Sequence, residues 1–310
     1  MRNTALNTVH ELAKKNKKII FVGSDLGFKV LDNMKNELPN QFLMEGICEQ
    51  NIIGMSAGLA MQGYIPFVNT IGTFLTRRCL EQIIIDLCFH NLPVRLLGNG
   101  GGGVYASLGP THLSLEDFSI LRSIPNMTIL SPCDKLEMKK LLIESVKFRG
   151  PIYIRFGLGG EKVITKKNFN VKIGKAMEIL PKKKFNIIST GSITQTVLEA
   201  VELIKEIFFI DIGILHIGTI KPLDKKKIMN FISGSKKTII VEEHFRSGGL
   251  GSSILELCND YGVNSNVIKL IGIPDKFPDQ NPNHDKIKEY WGLDKKNLFN
   301  KMLKEYGIRK

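Results

Sequence analysis

The chain has 310 residues, 43% of them hydrophobic, which is enough for two buried cores of ordinary size. Its net charge of +13 comes from lysines spread along the sequence. That spread argues against a nucleic-acid or membrane footprint and leaves a positive potential suited to gathering anionic substrates. Five cysteines, at 48, 79, 88, 133 and 258, show neither Cys-x-x-Cys spacing nor grouping with histidine along the sequence, so neither a zinc site nor a disulfide frame is expected.

The opening residues lead into a charged helical stretch over 11–18 that lacks the apolar core of a signal peptide. No apolar run approaches the roughly 20 residues that span a bilayer, and a cytoplasmic chain is expected. Short apolar runs at 18–22, 65–68, 93–97, 127–130 and 151–154 alternate with amphipathic stretches such as 74–90 and 134–148. Ile- and Val-rich strands alternating with helices predict a parallel sheet covered on both faces. From 160 to 184 the pattern dissolves into charged residues, a linker with room for a short strand. A second alternating series comes after it, with strands expected at 186–188, 210–215, 238–241 and 267–270. The fold class is therefore α/β with two doubly wound domains, over 1–165 and 185–310, joined by a linker over 166–184.

Glu49 opens a predicted helix, with Gly54, Gly58 and small residues after it that let a helix press closely on a sheet. A carboxylate at a helix start is also what the helix dipole favours, so the Glu49-Gln50 pair alone carries little. The later segments, taken in order, carry more: Gly72 to Leu75, Gly109-Pro-Thr-His112, Ile124 to Met127, Tyr153 to Arg155, Ile220 to Asp224, and Glu242-Glu-His244 with Gly248 to Gly251. Over nearly the whole chain this ordered set resembles the C-terminal half of transketolases and of the related deoxyxylulose-phosphate synthases.

The resemblance implies a thiamine diphosphate pyrimidine-binding domain followed by a smaller transketolase C-terminal-like domain. Glu49 falls at the family's catalytic glutamate, whose carboxyl bonds the pyrimidine ring nitrogen and promotes the imino form of the cofactor. That task needs a carboxyl able to share a proton near neutrality, which an apolar setting such as Ile47, Ile52 and Ile53 favours. Phe74 falls where the family stacks an aromatic ring on the pyrimidine, and Arg77 and Ile47 join it as expected cofactor contacts. His112 matches a histidine that faces the reacting carbon and hydrogen-bonds substrate hydroxyls, a second catalytic residue. Arg155 matches an arginine that grips substrate phosphate. Cys48 and His244 are read as structural.

In this family the diphosphate is held through a divalent metal by a domain carrying Gly-Asp-Gly, and no Gly-Asp-Gly occurs in the sequence. The resemblance thus implies one subunit of a split enzyme. Its partner, an N-terminal transketolase subunit, would hold Mg2+ (or Ca2+ or Mn2+) in an α2β2 heterotetramer acting on sugars or sugar phosphates in carbohydrate metabolism. Many transketolases carry an Asp-Gly pair before Pro-Thr-His and a further histidine upstream; here Leu108 precedes Gly109, and Gly100 stands near the second position. Those departures point to an unusual acceptor sugar. The glycine run at 100–103 has no following Lys-Ser/Thr and no GxGxxG in a dinucleotide unit, and it reads as a flexible loop at the pocket mouth. The rival readings are the β subunit of a 2-oxo acid dehydrogenase E1 component and a non-catalytic regulatory pseudo-subunit.

Overall fold

The apolar runs form the strands of two sheets. The chain, described by a computed structural model, is placed over residues 1–24, 30–166 and 169–308. Lys167 and Asn168 of the expected charged linker lie outside the described residues.

In the first half, α1 (Arg2–Lys15) leads to β1 (Ile19–Gly23), α2 (Asp32–Glu37), β2 (Phe42–Met44), α3 (Glu49–Met61) and β3 (Ile65–Ile71). A π-helical turn (Phe74–Arg78), the short α4 (Leu80–Gln82) and a second π-helical segment (Ile83–Phe89) come next. They lead to β4 (Arg95–Asn99), α5 (Asp117–Arg122), β5 (Thr128–Leu130), α6 (Lys135–Ser145) and β6 (Ile152–Phe156). The second half runs β7 (Met177–Leu180), β8 (Phe185–Ser189), α7 (Ile193–Phe208), β9 (Ile212–His216), β10 (Thr219–Lys221), α8 (Lys225–Ile232), β11 (Lys237–Phe245), α9 (Leu250–Asp260), β12 (Ile268–Ile273), α10 (His284–Trp291) and α11 (Lys295–Tyr306).

The first sheet has the order β10-β5-β6-β4-β3-β1-β2 and the second β12-β11-β8-β9-β7. Within the first, every pairing is parallel except that of β10 with β5; within the second, only β7 runs antiparallel to its neighbour. Strands β1, β4 and β6 are buried at every position, as expected for a sheet covered on both faces. The second sheet begins at Met177, inside the stretch expected as linker. Strands β2 and β10, three residues each, were not foreseen in the apolar pattern. Among the described residues no helix is long and apolar enough to cross a membrane.

The two halves share a buried polar seam. Glu137, in the first turn of α6, accepts the Cys133 backbone N–H at 2.7 Å and lies 2.9 Å from His216 Nε2, while His216 Nδ1 lies 3.0 Å from Thr194 Oγ1. Linear spacing hid this meeting of a cysteine with a histidine. Among the described residues it is the grouping whose donors could surround a metal ion. Burial, then the Glu137 and Asp134 carboxylates, push the Cys133 thiol well above its ordinary pKa. Glu137 Oε2 on the first domain's helix meets both the Cys133 N–H and His216 of the second, so the group serves as a hydrogen-bonded joint between domains.

Candidate active site

In an open α/β sheet, ligands sit beyond the carboxyl ends of the parallel strands. The loops after β2, β3 and β4 bring the expected residues together there. Glu49 is the first residue of α3, where the helix dipole favours a carboxylate, and its side chain is only 6% exposed. Buried Ile52 and Ile53 pack below it in the next turn. Ile47, by contrast, is 71% exposed, so within this chain it does not contribute to the burial of Glu49.

Arg78 joins Glu49 to Phe74. Its Nη1 donates to Glu49 Oε2 at 3.2 Å, its backbone carbonyl accepts from Gln50 Nε2 at 2.9 Å, and its guanidinium carbon lies 3.6 Å from the centroid of the Phe74 ring. The adjacent Glu49 and Gln50 thus grip opposite ends of one residue, which ties the start of α3 to the π-helical turn. Such turns recur at functional sites because they displace side chains from the regular helical register.

Phe74 meets the His112 imidazole edge to face, with centroids 5.1 Å apart and planes at 64°. The loop that carries His112 is fastened to the same turn. Arg77 donates to the Pro110 and Leu113 carbonyls, each at 2.9 Å, and pairs with Glu116. Thr73 Oγ1 donates to the Thr111 carbonyl at 3.2 Å, and Thr111 Oγ1 is hydrogen-bonded to His112 Nδ1 at 2.9 Å. Partial burial, and then the positive charge of Arg78, lower the His112 pKa below its ordinary value. The imidazole is therefore neutral at pH 7 and able to accept a proton. Arg77, expected to touch cofactor, has all of these contacts with the histidine loop.

The glycine run at 100–103 is packed against the second domain, contrary to its reading as a flexible loop. A Cβ on Gly102 would come within 2.7 Å of the Glu243 carboxyl carbon, and one on Gly103 within 2.8 Å of Ile287 Cγ2 on α10. The glycines are there because neighbouring side chains leave no room for anything larger. Arg155, at the end of β6, belongs to this seam. Its Nη2 donates to the Glu243 carbonyl at 2.6 Å, its Nη1 lies 3.5 Å from Asp117 Oδ1, and its guanidinium lies over the Phe118 ring. These partners lie outside the Glu49–Phe74–His112 group. Glu243 also accepts from Gly103 N–H and His284 Nε2. His244, read as structural, is fully buried, stacked on Phe118 with centroids 5.1 Å apart.

Glu49, Phe74 and His112 are thus gathered at one place, Arg77 beside them, Ile47 at the approach to Glu49, and Arg155 in the domain seam. Sequence reasoning missed Arg78 and Gln50. Arg78 stands four residues after Phe74, a spacing that brings two helical side chains into contact, and that signal was available. A buried carboxyl beside an aromatic platform, with a neutral imidazole near, fits the pyrimidine half of thiamine diphosphate. The same group offers a single carboxylate, too few oxygen donors for magnesium.

Comparisons with known proteins give the family of both domains. The sequence model described as "Transketolase, pyrimidine binding domain" matches residues 1–157, and "Transketolase, C-terminal domain" matches residues 174–298. One of the subunits of the apulose-4-phosphate transketolase of Phocaeicola vulgatus is 35% identical over 299 residues, covering 96% of this chain and 94% of that protein. The 1-deoxy-D-xylulose-5-phosphate synthase of Halothermothrix orenii is 34% identical over 96% of this chain, which spans only 46% of that longer protein. A split-gene transketolase, described as an inactive β4 tetramer, superposes with a TM-score of 0.88 at 25% identity over 100% of this chain and 99% of its own. Family models across both domains, a relative similar from end to end and a shared architecture make this chain a member of the transketolase family, carrying its pyrimidine-binding and C-terminal domains.

Proposed function

We propose that this chain is the pyrimidine-side subunit of a thiamine diphosphate-dependent enzyme that transfers a two-carbon ketol unit between sugars or sugar phosphates. It works with a partner subunit that carries Gly-Asp-Gly and holds the diphosphate and Mg2+, in an α2β2 assembly in the cytoplasm. The observation that supports this reading is the meeting of Glu49, Phe74 and His112 through Arg78 and the loop ties of Arg77. When bound, the cofactor supplies a nucleophilic carbon and a sink for the electrons released by carbon–carbon cleavage. Glu49 shares a proton with the pyrimidine ring nitrogen. Phe74 orients that ring, and neutral His112 exchanges protons with substrate hydroxyls. Arg77 holds the His112 loop at the cofactor's edge, and Ile47 covers the approach once the partner completes the site.

Arg155 sets the position of the glycine run, and through it the acceptor side of the pocket. The Phocaeicola vulgatus relative is named for apulose-4-phosphate, a phosphorylated sugar. A phosphorylated substrate suits a chain of net charge +13, and Leu108 and Gly100 suit an acceptor other than a common aldose phosphate. The relatives named above favour this reading over a 2-oxo acid dehydrogenase β subunit, and the gathered Glu49, Phe74 and His112 favour it over a pseudo-subunit.

The test is ketol transfer by the purified chain alone, and by the chain combined with a partner bearing Gly-Asp-Gly. Turnover is expected only with the partner. Glu49→Gln, which keeps the shape but has no acidic proton, should lower it a hundredfold or more, about 3 kcal/mol of transition-state stabilisation. Turnover by the chain alone, or near-normal turnover of Glu49→Gln in the complex, would overturn the reading.

A further inference from the structure

Two neighbouring arginines follow Phe74, and they are held very differently. Arg77 is fastened by Glu116 and by the Pro110 and Leu113 carbonyls. The side chain of Arg78 is 47% exposed and, among the described residues, is held by the Glu49 carboxylate at 3.2 Å and the face of Phe74 at 3.6 Å. Those two attachments are the ones an aminopyrimidine would make. A guanidinium is planar and delocalised, presents N–H donors to a carboxylate and stacks on an aromatic ring.

We propose that Arg78 is a latch on the cofactor site, its guanidinium occupying the pyrimidine's place between Glu49 and Phe74 until the cofactor displaces it. The inference rests on the proposed function, because it takes Glu49 and Phe74 as the pyrimidine site.

One carboxylate and one ring face cannot serve both occupants. An ion pair with Arg78 requires Glu49 as an anion, whereas activation of the pyrimidine requires a carboxyl that offers its proton. Geometry and proton state both set the latched chain apart from the active one. Release is eased on the arginine's side, because a side chain that is 47% exposed can pass its guanidinium to water and a cation–π contact at such a site is weak. The latch gives the unpartnered chain low affinity for the pyrimidine half-ligand, so that the site fills when the partner supplies the diphosphate half. His112, on the other side of Phe74's contacts, senses the same cation through its lowered pKa.

The sign of one measurement separates this role from the obvious alternative. Thiamine diphosphate is an anion, so an arginine that attracts it would leave binding weaker when removed. A latch would leave binding tighter. Thiamine diphosphate is titrated into the purified full-length chain, with NMR of the His112 ring as readout, for the native protein, Arg78→Ala and Arg78→Met. Met keeps the aliphatic stem and guards against a folding artefact. The expected result is affinity at least about threefold higher in both variants, with the His112 resonances moving on titration. Adding Phe74→Ala or Glu49→Ala to Arg78→Ala should abolish the gain. Unchanged or weaker binding by both Arg78 variants overturns the latch; if Phe74→Ala still weakens binding, the pyrimidine site itself stands. A gain that persists without Phe74 and Glu49 means the ligand binds elsewhere, and overturns both.

Discussion

Gly103 donates its backbone N–H to the Glu243 carboxylate at 2.9 Å, across 140 positions of sequence, and so fastens the loop after β4 to the second domain. Gly103→Ala would set a Cβ 2.8 Å from Ile287 Cγ2 and 3.0 Å from Trp291 Cζ3. Overpacking of this kind costs about 1–3 kcal/mol, which corresponds to a fall in Tm of about 2–6 °C. Differential scanning calorimetry measures it, and an unchanged Tm would mean that α10 does not press on the glycine run.

Arg155→Met separates the two roles open to that arginine. If its bond to the Glu243 carbonyl and its approach to Asp117 are its role, it is a positioning residue, and the variant should lose Tm, with kcat falling in the reconstituted complex. A residue that grips substrate phosphate would instead raise KM for a phosphorylated donor at least tenfold, on the scale of a lost charge-assisted hydrogen bond, while Tm stayed constant. That second pattern would support the role implied by the family resemblance.

His112 should titrate below its ordinary value, because partial burial and then Arg78 disfavour its protonated form. Removing the cation with Arg78→Met should move the His112 pKa upward, while Lys at the same position should leave it low. A pH titration of the ring protons by NMR reads this directly. If Arg78→Met leaves the value where it was, Arg78 does not lie against this imidazole in solution.

Acid should loosen the domain seam. Burial pushes His244 down to about 4, opposed by Asp117 and reinforced by Arg155. Its Nδ1 lies 2.6 Å from the Phe245 carbonyl, and its Nε2 accepts from the Ser119 N–H at 3.4 Å, as fits a neutral ring. The unfolded chain takes up this proton near pH 6.5, whereas the folded chain takes it up only near 4. Stability is therefore present in full above pH 6.5 and lost as pH falls towards 4, by up to about 3 kcal/mol. Urea midpoints at pH 7, 5.5 and 4.5 should decline for the native chain and decline less for His244→Gln. Equal slopes would assign the acid sensitivity to other groups.

How far the sequence could be read depended on how local the deciding contacts are. The main strands of both sheets were legible because buried parallel strands need apolar runs, which Ile and Val give in β1, leucines in β4 and isoleucines in β6. Strands β2 and β10 were not, since three residues at a sheet edge are too short for a pattern to stand out. The grouping of Glu49, Phe74 and His112 followed from the order of short motifs, but the placements of Arg155 and the glycine run depended on Glu243 and α10, distant in sequence. The glycines gave a composition signal with two opposite explanations, freedom and crowding. Only the neighbours could choose between them.

The edge strand β10 lies beside β5 in the first sheet, although it comes after three strands of the second. The chain therefore cannot be cut between its domains as cleanly as the two family matches suggest. A fragment ending before β10 would expose β5 as an open edge, a template for pairing with other chains. In folding, the first sheet cannot be finished until the chain beyond β9 has been made and has come back to it. The segment from β6 to β10 is thus enclosed at both ends by one sheet, and the two domains mature together.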